Sequence, residues 1–230
     1  MNSLNQVQSK LFDCAYDWKN IDIFLAKKDK KVLDLVREAC LIEAYFGVYV
    51  GKMINLFWDN IDATAMFTIE AYEAYSHFYL LQRYLDTVGY MPVKDIDVIE
   101  IRKKDVGVSH ENKVKELVNF MATEHFAANF FKDLSNTASE PVLKKILMDL
   151  SVQEVLHSQF AFDLLANSIS KDKKVITDIL ENASKFQHVG AYVLPTVSKV
   201  KEDNISIIKS FNEKIEKLTG KSLSAYLASK

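Results

Sequence analysis

The sequence is poor in the residues that punctuate a chain. Six glycines and three prolines among 230 residues are too few for a many-turned β protein and leave room for long uninterrupted helices. Cysteine is scarcer still. Cys14 and Cys40 are the only two, without a C-x-x-C spacing, which argues against a thiolate metal site and suits a reducing compartment. No sign of charge prevails: the formal net charge is −2, so no overall pull toward nucleic acid or an anionic membrane is expected. The basic runs Lys27, Lys28, Lys30, Lys31 and Arg102, Lys103, Lys104 read as solvated helix ends. The opening "MNSLNQVQSK" has no basic start followed by an apolar run, hence no secretory signal. The stretch "YFGVYVGKMINLFW" is broken by Lys52 and is too short to span a bilayer. Together these absences predict a soluble, cytoplasmic chain with neither nucleic acid nor membrane as a partner.

What is present is a chain 49% apolar and 26% charged, long enough for one well-filled core. Helical periodicity marks four long segments, at about 30–57, 62–87, 111–135 and 142–168, and shorter ones at about 173–187, 196–218 and 221–229. Gly89 and Pro92 stop the second segment. Ser139 as N-cap and Pro141 in the first turn open the fourth. Residues 93–110 alternate in a β-like way and read as a connection across one end of a bundle, and "HVGAYVLP" reads as an extended link ending at Pro195. Gly47 and Gly51 lie one turn apart and predict two closely packed backbones. The expected architecture is all-α: one domain over 1–230, with a core bundle over about 30–168 and additional helices over about 173–229.

In a helix, residues three and four apart share a face, and this sorts surface charges from unusual ones. Glu43 has Ala39, Cys40, Phe46 and Gly47 as face neighbours; Glu124 has Phe120, Met121, Ala127 and Ala128. His157 stands three residues after Glu154 and below Phe160 and Ala161, and His77 lies between Glu73 and Ala74 on one side and Leu80 and Leu81 on the other. Burying one unpaired carboxylate costs several kcal/mol unless it is neutralised, hydrogen-bonded or bound to a cation. Any one of these is explained as a satisfied core polar group. Four helices each turning a Glu or His inward are better explained by a two-metal site in a bundle core, built from one Glu on each of two helices and a Glu-x-x-His on each of the others. Oxygen and imidazole donors suit iron or manganese. His125, beside Glu124, faces elsewhere and reads as structural.

The pattern resembles the ferritin-like di-iron carboxylate superfamily, and within it the soluble, bacterial-type acyl-carrier-protein desaturases. "EPVLKKILMDLSVQEVLHSQFAF" is similar to that family's fourth-helix segment. Glu124 precedes Glu154 by 30 residues and Glu43 precedes His77 by 34, both family-like separations. "HFYLLQRYL" and "FQHVGAYVLP" resemble the family's runs after the second-helix His and after the bundle. The resemblance implies a ferritin-like four-helix bundle in which Glu43 and His77 hold one iron, Glu124 and His157 the other, and Glu154 bridges them. The second-helix motif departs from the family's: the position of the other bridging Glu is Ala74, in "EAYEAYSH". Glu73 could compensate through a π-bulge before His77, or directly, since it shares a face with His77 at i,i+4. Glu70, one turn below Ala74, is a less direct substitute. The metal set expected is therefore Glu43, Glu73, His77, Glu124, Glu154 and His157.

The resemblance further implies two iron ions, or one, with manganese as the alternative. The activity it implies is an oxidoreductase that activates dioxygen for C–H oxidation or desaturation of an acyl chain. Its partners would be an apolar or acyl small molecule, an acyl carrier protein, a ferredoxin-type electron donor and a second copy in a homodimer. Two alternatives stand beside it: a di-iron oxygenase or oxidase on another small molecule, and a degenerate scaffold with weak or mononuclear metal binding and no desaturase activity. A radical-generating reductase subunit fits less well, because Leu81 occupies the position where that family's Tyr would sit.

Overall fold

The computed structural model describes residues 15–103, 110–186 and 200–230, without the side chains of 200–205. Among these there are nine α-helices, a 3-10 turn at Trp18–Asn20 and no strand. The helices are α1 (Ile23–Lys28), α2 (Lys30–Leu56), α3 (Ile61–Val88), α4 (Asp95–Lys103), α5 (Lys113–Thr137), α6 (Pro141–Lys171), α7 (Val175–Lys185), α8 (Val200–Thr219) and α9 (Leu223–Ala228).

Local chemistry sets the ends of the long helices. The Asn60 side chain accepts from the Ala63 N–H to open α3, and Asn112 accepts from Lys115 to open α5, each cap contributing about 1 kcal/mol. Gly89, at φ 62°, closes α3 in the left-handed conformation that glycine adopts without strain. At the start of α6 the cap is Glu140 rather than Ser139. The Glu140 carboxylate accepts from the Leu143 N–H at 2.7 Å, ahead of Pro141, while the Ser139 N–H donates to Asp29.

Four helices form the bundle, and their cross-contacts fix its order. Between α2 and α3 Cys40 Sγ donates to the Phe78 carbonyl, and just past the end of α3 Tyr90 Oη donates to Asp34 of α2. Three serines stitch α6 to α5: Lys144 O accepts from Ser135, Ala128 O from Ser151, and Met121 O from Ser158. Tyr49 Oη donates to Glu116 between α2 and α5, and Tyr84 Oη to Glu140 between α3 and α6. Along each neighbouring pair one chain's numbering rises as the other's falls, so neighbours are antiparallel and diagonal helices parallel. The connection from α3 to α5 must therefore travel the length of the bundle. It does so along α2, through α4: Arg37 pairs with Asp97 at 2.9 Å, and Arg102 donates to the Ala44 carbonyl at 2.7 Å.

That connection differs from the β-like expectation for 93–110. Asp95 and Asp97 in the first turn and Arg102 and Lys103 in the last complement a helix dipole. One helical face seats Val98 on the core, which outweighs a short alternation. Arg102 is correspondingly not a free helix end; it reads a backbone carbonyl and the Tyr75 hydroxyl. Residues 104–109, and "HVGAYVLP" at 188–195, lie outside the described residues. The expectation for Gly47 and Gly51 also needs correction. A Cβ on Gly47 would sit 2.7 Å from the Tyr75 ring, so the close neighbour is an aromatic side chain, and a Cβ on Gly51 would meet nothing within 4 Å.

Two apolar clusters fill the interior. One holds Leu33, Val36, Leu81, Leu85, Phe131, Leu147 and their neighbours; the other holds Met53, Phe67, Phe120, Met121 and Leu165, extended by α7, α8 and α9 through Ile179, Phe211 and Leu223. Each large side chain so buried stabilises by about 1.5–3 kcal/mol, enough in sum to carry a polar layer in the bundle core. No helix among the described residues is long and apolar enough to cross a membrane.

Candidate metal centre

The four bundle helices turn six ionisable side chains inward: Glu43 on α2, Glu70 and His77 on α3, Glu124 on α5, and Glu154 and His157 on α6. All are buried, with exposures of 3, 5, 2, 3, 2 and 6%. Their donor atoms fall into two groups, each with all its atoms within 4.8 Å of one another: Glu43, His77 and Glu154; and Glu70, Glu124, Glu154 and His157. Glu154 belongs to both. Its Oε1 lies 3.1 Å from His77 Nδ1 and its Oε2 2.7 Å from His157 Nδ1, so one oxygen faces each imidazole. The two rings lie 6.4 Å apart between centroids.

Both histidines present Nδ1 to the carboxylates and Nε2 outward. His77 Nε2 donates to Gln153 Oε1, and His157 Nε2 donates to Glu73 Oε2 at 2.6 Å. Such outer partners fix the tautomer and aim the inner nitrogen, as they do for histidines that ligate metals. Gln153 and Glu73 each stand one residue before a position on the inward face, which turns them toward the opposite helix's histidine.

Electrostatics follow from burial and crowding. Burial raises the Glu70 carboxyl to about 7 against the opposing pull of His157, and it raises Glu124 well above the carboxylate range, reinforced by the charges of Glu154 and Glu70. Burial works the same way on Glu154, but the adjacent His77 and His157 outweigh it and hold its carboxyl below the usual range. Both imidazoles lose by burial and are nonetheless raised, His77 by Glu154 and Glu43, His157 by Glu154, Glu70 and Glu73. Without a cation, then, protons trapped between carboxylates and imidazoles balance the layer.

That balance is incomplete. Glu124 Oε1 is buried and makes no hydrogen bond, although buried polar atoms nearly always do. Glu70 Oε2 and His77 Nδ1 are held only by ion-pair contacts, at 2.7 Å to His157 Nδ1 and 3.1 Å to Glu154 Oε1. Buried oxygen and imidazole donors gathered in one layer, one of them unbonded, are a donor set that a divalent cation accepts. The buried Glu and His groups could hold a metal ion.

Of the residues singled out in the sequence, Glu43, His77, Glu124, Glu154 and His157 come together here. Glu73 does not join either group. It is 29% exposed at its side chain and sits on the outer edge of His157. α3 runs as regular α-helix through the whole stretch, so no π-bulge turns Glu73 inward. Glu70 occupies the layer instead, 2.7 Å from His157 Nδ1. The face test would have found it: its neighbours at three and four residues are Met66, Phe67, Glu73 and Ala74, apolar but for one. His125 contacts α8 through Ser210 Oγ and Ile207 O, away from the layer.

No protein-family model matches this chain, and no curated protein matches it either. Its functional reading rests on the chemistry of the layer.

Proposed function

We propose that the protein is a di-iron oxidoreductase that activates dioxygen, of the kind implied by its resemblance to ferritin-like acyl-carrier-protein desaturases. The observation that carries the reading is Glu154, which turns one oxygen to His77 and the other to His157 between two groups of donors. The charge count supports it: two divalent cations would match four buried carboxylates, Glu43, Glu70, Glu124 and Glu154, with both imidazoles neutral. Bound as a ferrous pair, the metal would supply electrons to dioxygen for C–H oxidation, and a ferredoxin-type donor outside the chain would replace them. Manganese is the competing metal.

The chain's own residues hold and shield that centre. Glu43 and His77 would hold one cation and Glu70, Glu124 and His157 the other, with Glu154 a member of both groups. Loading requires His77 and His157 to release their Nδ1 protons, while the Nε2 protons stay on Gln153 Oε1 and Glu73 Oε2. One turn from the layer each bundle helix places a phenylalanine: Phe46, Phe67, Phe120 and Phe160. Ring centroids of 5.8 Å (Phe46–Phe120), 5.3 Å (Phe67–Phe120) and 5.7 Å (Phe67–Phe160) close that side against water.

One observation favours the alternative of a small substrate over an acyl chain. The pocket that reaches His77 measures about 180 Å³, with Tyr16, Glu73, Asp149 and Gln153 beside Tyr72, Leu80 and Leu150 in its lining, a volume that suits a small molecule better than a long acyl chain.

Anaerobic loading with ferrous iron, followed by metal analysis and oxygen uptake, tests the proposal. Two irons per chain and rapid oxygen consumption are expected. A chain that retains no iron or manganese after gel filtration overturns the reading and leaves a metal-free scaffold.

A further inference from the structure

We infer that the pocket between α3 and α6 is the port through which divalent cations reach the centre. The inference rests on the two-cation reading above. The six side chains of the layer are 2–6% exposed, so a hydrated ion needs an opening that ends at one of them. A larger pocket, about 600 Å³ beside Val48, Lys52, Trp58 and His110, touches none of them. The pocket between α3 and α6 has His77 in its lining. Its volume of about 180 Å³ holds several waters at about 30 Å³ each, room for an ion with part of its hydration shell.

Its chemistry suits a cation. At the mouth Asp149 accepts from Tyr16 Oη at 3.0 Å, with Lys145 on its outer side at 2.6 Å. Further in, Glu73 and Gln153 turn oxygens toward the two histidines. Glu73 is the one carboxylate both in the pocket lining and bonded to a residue of the layer; partly exposed, it can meet an incoming ion before burial strips its water. Behind the His77 and His157 rings lie His77 Nδ1, Glu70 Oε2 and the unbonded Glu124 Oε1. Oxygen donors thus run from solvent to the centre in order of increasing burial.

Stopped-flow uptake of Co²⁺ by the metal-free full chain tests this, read by the ligand-field absorption of the bound ion, with stoichiometry measured at equilibrium. Ser76 lines the pocket from α3, so Ser76→Trp fills it and is expected to slow uptake more than tenfold while the final stoichiometry stays that of the parent. Ser76→Ala, which opens space, is expected to leave the rate unchanged. Asp149→Lys reverses the charge at an exposed mouth residue and keeps the test valid if the tryptophan variant misfolds; uptake several-fold slower at low ionic strength is expected. Parent-like rates in a folded Ser76→Trp, or in Asp149→Lys, overturn the port while leaving the two-cation reading intact. A parent chain that takes up no Co²⁺ overturns both.

Discussion

The α5–α6 hairpin and the α2–α3 hairpin meet at one buried layer, and they furnish it differently. From α5–α6 come Glu124, Glu154 and His157, one Glu opposite a Glu-x-x-His. From α2–α3 come Glu43 and His77, but Ala74 stands where the matching Glu-x-x-His would begin, and Glu70 supplies the carboxylate from one turn away. Four residues along a helix are about 6 Å of axis. Ala74 is three residues from His77, whereas Glu70 is seven, so the substitute carboxylate is carried away from His77 toward His157. The result is a three-residue group around His77 and a four-residue group around His157. A carboxylate relocated by one turn keeps the count in the layer and changes which of the two groups it joins.

The largest effect expected is at the residue both hairpins share. Glu154→Gln should abolish tight binding of both cations, read as metal per chain after loading; retention of one or two would mean that Glu154 does not join the groups. Next, Glu70→Ala should lose one cation, the one in the His157 group, and adding Ala74→Glu should restore it by moving the carboxylate back one turn. If Glu70→Ala still holds two, the comparison between the hairpins collapses.

The pH dependence of the metal-free protein is the third test. Glu70 moves from 4.5 to about 7 on folding. A carboxyl raised by folding binds its proton more tightly in the native state, so its contribution is favourable below the unfolded value and is lost as pH rises through the folded one. The raised imidazoles act in the same direction at higher pH, while Glu154, lowered by folding, contributes fully above the ordinary carboxylate range. Stability should therefore fall between pH 5 and pH 8, by about 3 kcal/mol from Glu70. Urea midpoints at the two pH values check it, and saturating metal should flatten the difference because the cation replaces the protons.

The smallest effect expected is at Glu73. Acting on His157 from outside, Glu73→Gln should weaken binding about tenfold to a hundredfold with the stoichiometry unchanged, as isothermal titration would read. Loss of a whole cation would make Glu73 a ligand.

Much of this was legible in the chain. Scarce glycine and proline with long periodic runs announced the helices, and the caps Asn60 and Asn112 lie within a few residues of the expected starts. The face test found five of the six inward residues because burial of a charge is unusual enough to stand out one residue at a time. Glu73 is nearer His77 in sequence, but Glu70 holds the position on the inward face. Gln153 carries no local signal, because its partner is on another helix. The β-like reading of 93–110 failed where a short alternation competes with capping charges and with contacts to Arg37 and Ala44.

Interactions within about four residues set the long helices, their amphipathic faces and the carboxylates and imidazoles on those faces. Which of those side chains meet is a property of the assembled bundle. Pairing across helices depends on the rotation and stagger of α3 against α6, and three residues at about 100° each leave Glu73 at the rim about 60° around the helix from Glu70 in the layer. That angle is invisible until four helices fix it together.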